Sequence, residues 1–325
     1  MKETYSIFSI SAAAEFEQAC LTTFYRQAQA CEPYSRYLSY MGVRAEDVKC
    51  AAQIPFLPIE FFKTERVACK NAKEQITFTS SGTTGAETSR HYVTDVQLYE
   101  ESFLRGFEHF YGTPQKYCIL ALLPGYAERQ GSSLVYMAER LVEQSAHPLG
   151  GFFLHNYDEL AARLALLHRQ QQQAILIGVS FALLDLAEQR QFRFPNLTVM
   201  ETGGMKGKRR EMPREELHRS LCRSFGVEVV HSEYGMTELL SQAYSLGNGR
   251  FLTPPWMRVS LRDLHNPFSP AATGVSGGIN VTDLANQNSC AFIETQDLGR
   301  LHADGTFEVL GRIDHAIARG CNMLV

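Results

Sequence analysis

The stretch ITFTSSGTTGAETSRHYV, from Ile76 to Val93, decides how the rest of the chain is read. It begins as an alternating strand (Ile76, Phe78), breaks into Ser80-Ser81-Gly82-Thr83-Thr84-Gly85, and returns through Arg90-His91-Tyr92-Val93 to a second alternating run. The pattern predicts strand, polar loop, strand. Gly82 and Gly85 free the backbone to turn its N–H groups inward, and the hydroxyls of Ser80, Ser81, Thr83 and Thr84 add donors without bulk, so the loop can wrap a phosphate. The Lys of G-x-x-x-x-G-K-[ST] is absent, which excludes a Walker A loop. The same composition suits a plain hydrophilic hairpin turn, and the remainder of the chain must decide.

A chain of 325 residues is long enough for more than one lobe, since single cores stop growing at roughly 250–300 residues. With 45% hydrophobic and 20% charged residues the composition is that of a globular protein and excludes a disordered one. A formal charge of −4 and a pI near 6.2 provide no basic field, so neither nucleic acid nor an anionic membrane is expected as main partner. The eight cysteines are scattered without a C-x-x-C pair, which reads as reduced thiols in a cytoplasmic protein and not as a disulfide framework or zinc site. The longest apolar run, Ala174 to Leu184, is too short to span a bilayer, and no signal-peptide pattern opens the chain.

Taken in order, residues 11–31 place Phe16, Leu21, Phe24 and Tyr25 at helical spacing behind a Ser cap, and a second helix is expected at Pro33 to Met41. Ile54 to Lys63 (IPFLPIEFFK) is dense in apolar residues but broken by two prolines, so it reads as a buried extended segment or as a wall near an acyl or phosphate site. Beyond a helix from Asp95 to Tyr111, strand-length runs (Tyr117–Leu123, Gly151–His155, Ala174–Val179, Leu197–Glu201, Val227–His231) alternate with helical ones (Ser132–Ala146, Tyr157–Gln172, Phe181–Gln189, Pro213–Phe225). That alternation predicts βαβ units and a largely parallel sheet. In such sheets ligands collect at the carboxyl ends of strands, which draws attention to Thr202-Gly203-Gly204 and to Ser232-Glu233-Tyr234-Gly235-Met236-Thr237-Glu238. Beyond Pro254 short strands with Gly, Asn and Asp turns take over. The expected division is an α/β core over 1–253 and a β-rich subdomain over 254–325.

Four pieces now stand in one order: Ser80-Ser81-Gly82-Thr83-Thr84-Gly85, Tyr234-Gly235-Met236-Thr237-Glu238, Asp297 within TQDLGR, and Gly311-Arg312-Ile313-Asp314. Together, across about 235 residues, they resemble the adenylate-forming (ANL) superfamily of acyl-CoA synthetases, adenylation domains and luciferases. The segments IPFLPIEFFK, Ser89-Arg90-His91, Gly131-Ser132-Ser133-Leu134 and Arg319-Gly320-Cys321-Asn322-Met323-Leu324-Val325 carry the resemblance further, toward the LuxE-type acyl-protein synthetases.

That resemblance implies an ANL-like N-terminal domain, with layered, mostly parallel sheets flanked by helices. It also implies an ATP-dependent ligase that converts a fatty or related carboxylic acid into an acyl-adenylate and passes the acyl group to a thiol. By the same token the loop from Ser80 to Gly85 should hold the β- and γ-phosphates. Thr237 should touch the α-phosphate, Glu238 should ligate Mg2+, and Asp297 and Arg312 should meet the ribose or a phosphate. Gly203, Gly204 and Met205 should line the adenine or acyl pocket beside Tyr234 and Gly235, although a bare turn would use the same residues. His91 and His231 are candidate bases, though a lone His is more often a hydrogen-bonded neighbour.

The sequence departs from the superfamily where it stops, eleven residues after Asp314, without the smaller C-terminal domain and its catalytic Lys. Lys63, Lys206 and Lys208 are the substitutes in view. LuxE-type enzymes carry an acyl-accepting cysteine near the C-terminus, and Cys321 resembles it, with Arg319 and Arg312 in the neighbouring sequence to lower its pKa. The expected partner is then an acyl reductase or a carrier protein. The alternatives are an acyl-CoA or acyl-carrier-protein ligase resembling the phenylacetate type, and a non-catalytic nucleotide- or acyl-binding subunit.

Overall fold

The structure is a computed structural model that describes residues 6–70, 73–80, 88–124, 131–205, 209–210, 212–272 and 274–313. Its elements in chain order are α1 (Ala13–Ala30), α2 (Glu32–Tyr40), β1 (Leu57–Pro58), α3 (Phe61–Thr64), β2 (Ile76–Thr79), β3 (Arg90–Val93) and α4 (Val96–Tyr111). Next come β4 (Cys118–Leu122), α5 (Ser133–Ser145), β5 (Gly151–Phe153), α6 (Tyr157–Arg169), β6 (Ala174–Gly178), α7 (Ser180–Gln189), β7 (Leu197–Glu201), α8 (Arg214–Phe225) and β8 (His231–Tyr234). Only strands follow: β9 (Ala243–Ser245), β10 (Phe251–Leu252), β11 (Met257–Arg262), β12 (Ser276–Asp283), β13 (Phe292–Leu301) and β14 (Phe307–Arg312).

Two compact units form, each from more than one stretch of chain. The first comprises the described residues of Met1–Ser102, Thr237–Ser241 and Leu252–Val325; the second comprises those of Phe103–Met236 and Gln242–Phe251. The change from α/β to β-rich character near residue 254 is therefore not a change of compact unit, since the late strands share theirs with the N-terminal helices.

In the second unit, β5, β4, β6, β7 and β8 pair in parallel and β9 closes antiparallel on β8. Strands β4 and β6 are buried at every position, as continuous apolar runs must be when helices cover both faces of a sheet. The core gathers Leu120, Leu122, Phe153, Leu176, Val199 and Phe225. Helix α5 is capped by Ser132, whose Oγ accepts from the Val135 N–H at 3.3 Å, and α8 ends at Gly226 with φ +68°, a left-handed stop that suits glycine.

In the first unit, β11, β12, β13 and β14 run antiparallel in that order, β1 lies parallel to β13, and β2 and β3 form a separate hairpin. Phe292 of β13 is ringed by Phe24, Tyr34 and Phe56 at centroid distances of 6.3, 6.4 and 6.2 Å. The dense IPFLPIEFFK segment thus reads first as packing: Ile54, Leu57, Ile59 and Phe62 are buried, and Pro58 sits where the chain leaves an edge strand for the short helix α3.

Three expectations need correcting. Helix α1 starts at Ala13 with Ala12 and not Ser11 at its N-cap, and the capping group is the carboxylate of Glu15, which accepts from the N–H groups of Ser11 and Ala12 at 2.7 and 3.0 Å. Val227–Val230 is not a strand; the strand is the polar run His231–Tyr234. The β-branched residues there follow the left-handed stop at Gly226, and Val229 is left 40% exposed. Finally, the strands beyond Pro254 are not all short: β13 runs unbroken for ten residues.

Candidate functional site

The hairpin holds the loop that opened the sequence argument. Its rungs run from Ile76 opposite Val93 to Thr79 opposite Arg90, so the two predicted strands are present and paired. The mouth is pinched by Ser80 and Ser89: the Ser80 N–H donates to the Ser89 carbonyl at 3.1 Å, and the Ser89 N–H donates to Ser80 Oγ at 2.9 Å. Ser81, Gly82, Thr83, Thr84 and Gly85 lie outside the described residues.

Two residues just past the mouth join the hairpin to Thr237-Glu238. The buried Ser89 hydroxyl hydrogen-bonds the Glu238 carboxylate. His91 Nδ1 lies 2.9 Å from the Thr237 carbonyl; a carbonyl only accepts, so Nδ1 carries the proton. The His91 ring is buried in a T-shaped contact with Phe62, centroids 5.6 Å apart, and burial holds its pKa down at about 4 against the pull of that hydrogen bond. A ring so placed is neutral at pH 7 and braces the Thr237 backbone.

Glu238 is 4% exposed. Burial raises its pKa, the Ser89 hydroxyl and the Arg312 guanidinium oppose that rise, and the Asp297 carboxylate adds to it. Three residues expected at one site from distant parts of the sequence, Glu238, Asp297 and Arg312, therefore feel one another in one unit, and Ser89 joins them. Arg312 reaches Asp297 from the adjacent strand, NH1 to Oδ1 at 3.5 Å. Its other nitrogen donates to Gln296, whose amide in turn donates to Glu60 at the head of α3. The ladder makes this possible: Gly299 faces Val309 but Leu298 faces Gly311, so one extra residue, Leu310, bulges out and brings Arg312 opposite Asp297. Lys63, by contrast, is exposed on α3.

Sequence reasoning missed the base on which this site stands. Asp283, at the end of β12, is wholly buried. Its Oδ2 accepts from the N–H groups of Leu240 and Ser241 at 2.8 and 2.9 Å, and its Oδ1 accepts from the Ser241 hydroxyl at 2.5 Å and the Ala285 N–H at 3.1 Å. The Trp256 indole donates to Ser241 Oγ at 3.0 Å, and Asn286 Nδ2 donates to the Glu238 carbonyl at 2.8 Å. Every residue of Thr237–Ser241 except Leu239 is thereby tied to His91, Ser89, Asn286 or Asp283. The available signal was slight: Trp256 is the single tryptophan of the chain.

The second unit carries the other expected residues. Gly203 and Gly204 follow β7 with φ of +77° and +86°, a pair of left-handed residues that a side chain would strain. Gly235 is exposed, and a Cβ there would strike Glu233 Oε1. Tyr234 is buried, its ring 6.0 Å from that of Phe251. Burial and the neighbouring Glu201 carboxylate push the Glu233 carboxyl up to about 8, so it holds its proton at pH 7. His231, the other candidate base, is bonded to Tyr111 Oη at 3.1 Å and its pKa is lowered by burial. Cys321, Arg319, Lys206 and Lys208 lie outside the described residues.

Among the described residues no three His, Cys, Asp or Glu side chains gather to enclose a metal ion. The donor set fits a hard cation of another habit. Mg2+ keeps one or two carboxylates and takes its remaining oxygens from phosphates and water, and a buried carboxyl that desolvation disfavours as an anion, Glu238, is stabilised by such a charge. Among the described residues no helix is long and apolar enough to cross a membrane.

No family model and no curated protein matches the sequence. Solved structures do match in shape. A 2-hydroxyisobutyryl-CoA ligase in the postadenylation state, in complex with 2-HIB-AMP, has a TM-score of 0.71 at 14% identity over 97% of this chain and 72% of its own. ATP-bound MatB from Rhodopseudomonas palustris scores 0.55 at 18% identity, over 75% of this chain and 49% of its own. The luciferase-like enzyme of the nonluminescent mealworm Zophobas morio scores 0.50 at 17% identity, over 76% and 59%. The chain therefore has the expected α/β fold of the N-terminal domain of adenylate-forming enzymes.

Proposed function

We propose that this protein is an ATP-dependent, adenylate-forming ligase acting on a carboxylic acid. The observation that supports it best is the meeting of Glu238, Ser89, Asp297 and Arg312 around the mouth of the Ser/Thr/Gly hairpin, in a fold shared with a ligase whose structure holds an acyl-AMP. In the first step a substrate carboxylate oxygen attacks the α-phosphorus of ATP, the bond from that phosphorus to the bridging oxygen breaks, and pyrophosphate leaves with the electron pair. The chemistry is positioning and charge neutralisation, not proton transfer.

The residues divide that work. The hairpin loop beyond Ser80 receives the β- and γ-phosphates. Thr237, held by His91, presents its hydroxyl and N–H to the α-phosphate. Asp297 accepts from the ribose hydroxyls, and Arg312 meets ribose or phosphate. Glu238 holds Mg2+, which when bound neutralises phosphate charge. In the second unit the same resemblance gives Gly203, Gly204, Tyr234 and Gly235 the role of nucleotide or acyl contacts.

In the second step a thiolate attacks the acyl carbon and AMP leaves. The LuxE-like reading makes Cys321 the first acceptor, a fatty acid the substrate, and an acyl reductase or carrier protein the next stop. A second reading, an external thiol, draws on the complex of the ligase neighbour with 2-HIB-AMP and CoA. Carboxylate-dependent ATP–pyrophosphate exchange over a panel of acids tests the first step. Thioester labelling of the wild type and Cys321→Ser tests the second. Exchange with label lost in the variant supports acyl-protein transfer; exchange without protein label assigns an external thiol; ATP binding without exchange refutes the ligase.

A further inference from the structure

Four elements of the second unit end on one carboxylate that no motif contains. Glu201, the last residue of β7, is 2% exposed. Its Oε2 accepts from the Gly203 N–H at 2.7 Å and from the hydroxyl of Ser180, which opens α7 just beyond β6, at 3.2 Å. Its Oε1 faces α8, with His218 Nε2 at 3.5 Å and Arg214 Nε at 3.6 Å. Ser232 of β8 is its partner in the ladder, and Ser232 Oγ lies 3.5 Å from the same His218 nitrogen.

We propose that Glu201 is a positioning residue for ligand binding: its carboxylate holds Thr202-Gly203-Gly204 in the conformation that receives the nucleotide. The inference rests on the reading above in taking this turn as a nucleotide contact. A carboxylate this buried is a poor device for stability, since an apolar residue of like volume commonly serves as well or better. Its position is a good device for geometry. The Gly203 N–H is drawn back toward the sheet by a bond within one turn of chain, and the Thr202 N–H is tied to the Gly178 carbonyl at 3.0 Å. The chain then has to leave through two left-handed glycines. Thr202 Oγ1, on the same turn, is shielded from solvent with no hydrogen-bond partner among the described residues: a donor and acceptor for which a ligand would provide the partner. Burial works against the Glu201 anion, but His218, Arg214 and Ser232 outweigh it and hold the carboxyl at about 2, so the charge is kept at any working pH.

The test uses the full chain as wild type, Glu201→Gln and Ser180→Ala, with hydrogen exchange of the Gly203 amide, binding of a fluorescent ATP analogue, and separate kcat and KM values from pyrophosphate exchange. Glu201→Gln replaces a charge-assisted bond, so the Gly203 amide should exchange and the analogue dissociate roughly tenfold or more faster. The KM for ATP should rise by a similar factor, with kcat and the KM for the acid within twofold. Ser180→Ala removes one donor and should move the same quantities less, and it decides the matter if Glu201→Gln does not fold. An unchanged Gly203 amide, or unchanged ATP affinity with a deprotected amide, overturns the proposal. A wild type that binds no ATP would instead sink the ligase reading, while the amide exchange would still report whether Glu201 holds the turn.

Discussion

Asp283→Asn is the sharpest probe of how the Thr237–Ser241 segment is held. The carboxylate accepts two backbone N–H groups on Oδ2, and a hydroxyl and a third N–H on Oδ1. Asparagine offers one oxygen and one NH2: turned toward Leu240 and Ser241 the NH2 confronts two N–H groups, and turned the other way it confronts the Ala285 N–H alone, because the Ser241 hydroxyl can accept from it. A buried donor left unsatisfied costs about 1–3 kcal/mol, so the better orientation should cost about 1–3 kcal/mol, reduced by whatever the segment relaxes. The pH dependence adds a second check. Burial raises the Asp283 pKa, and the four hydrogen bonds offset only part of the rise. A carboxyl whose folded pKa lies above its unfolded one binds the extra proton in the folded state, so its contribution to stability falls as pH rises through that window. The wild type should show this loss and the variant should not. Urea unfolding at a series of pH values measures both, and pyrophosphate exchange on the same samples should fall about tenfold or more as Thr237 and Glu238 lose their footing. A variant within 0.5 kcal/mol of wild type, with unchanged exchange, would refute the account.

Glu238→Gln should abolish exchange by about a hundredfold or more while the melting temperature holds or rises, because a neutral amide replaces a buried acid; an active variant would remove Glu238 from the site. His91→Phe should flatten the wild-type loss of stability on acidification. The His91 pKa, lowered by burial to about 4, makes the unfolded chain bind the extra proton between about pH 6.5 and 4, for about 2 kcal/mol between pH 7 and 5. No inflection belonging to His91 should appear in the exchange rate above pH 6, and one that vanished in the variant would restore it as a base. Asp297→Asn should raise the KM for ATP about tenfold with little change in stability, since Arg312 opposite is half exposed; unchanged KM would exclude the ribose role.

The sheet was legible because buried parallel strands must be continuous apolar runs, and Cys118–Leu122 and Ala174–Gly178 are such runs within a residue of where the pattern put them. Strand β8 was displaced because His231, Ser232 and Glu233 look like loop and Val227–Val230 like strand. Pairing and helix contacts satisfy the polar residues, and no propensity scale contains those. Within the candidate site, Thr237 and Glu238 could be singled out because they stand side by side in one short motif. Asp283 and Glu201 stand alone in sequence, and their importance comes from donors that converge from as far as 43 residues away. Nothing local marks such an acid as different from one on the surface.

The interleaving of the two units has a consequence for biosynthesis. The second unit is complete in sequence once Phe251 has been made, but the first waits for its late strands. Gln27 of α1 accepts from the Ala291 N–H, 264 residues further on, and Phe24, Tyr34 and Phe56 find their common neighbour only in Phe292. At about 5–20 residues per second, these aromatic side chains leave the ribosome tens of seconds before the strand that covers them. Over that interval the nascent N-terminal helices present an uncovered apolar face, so the yield of this protein in a cell should depend on a chaperone able to hold that face until translation reaches β13.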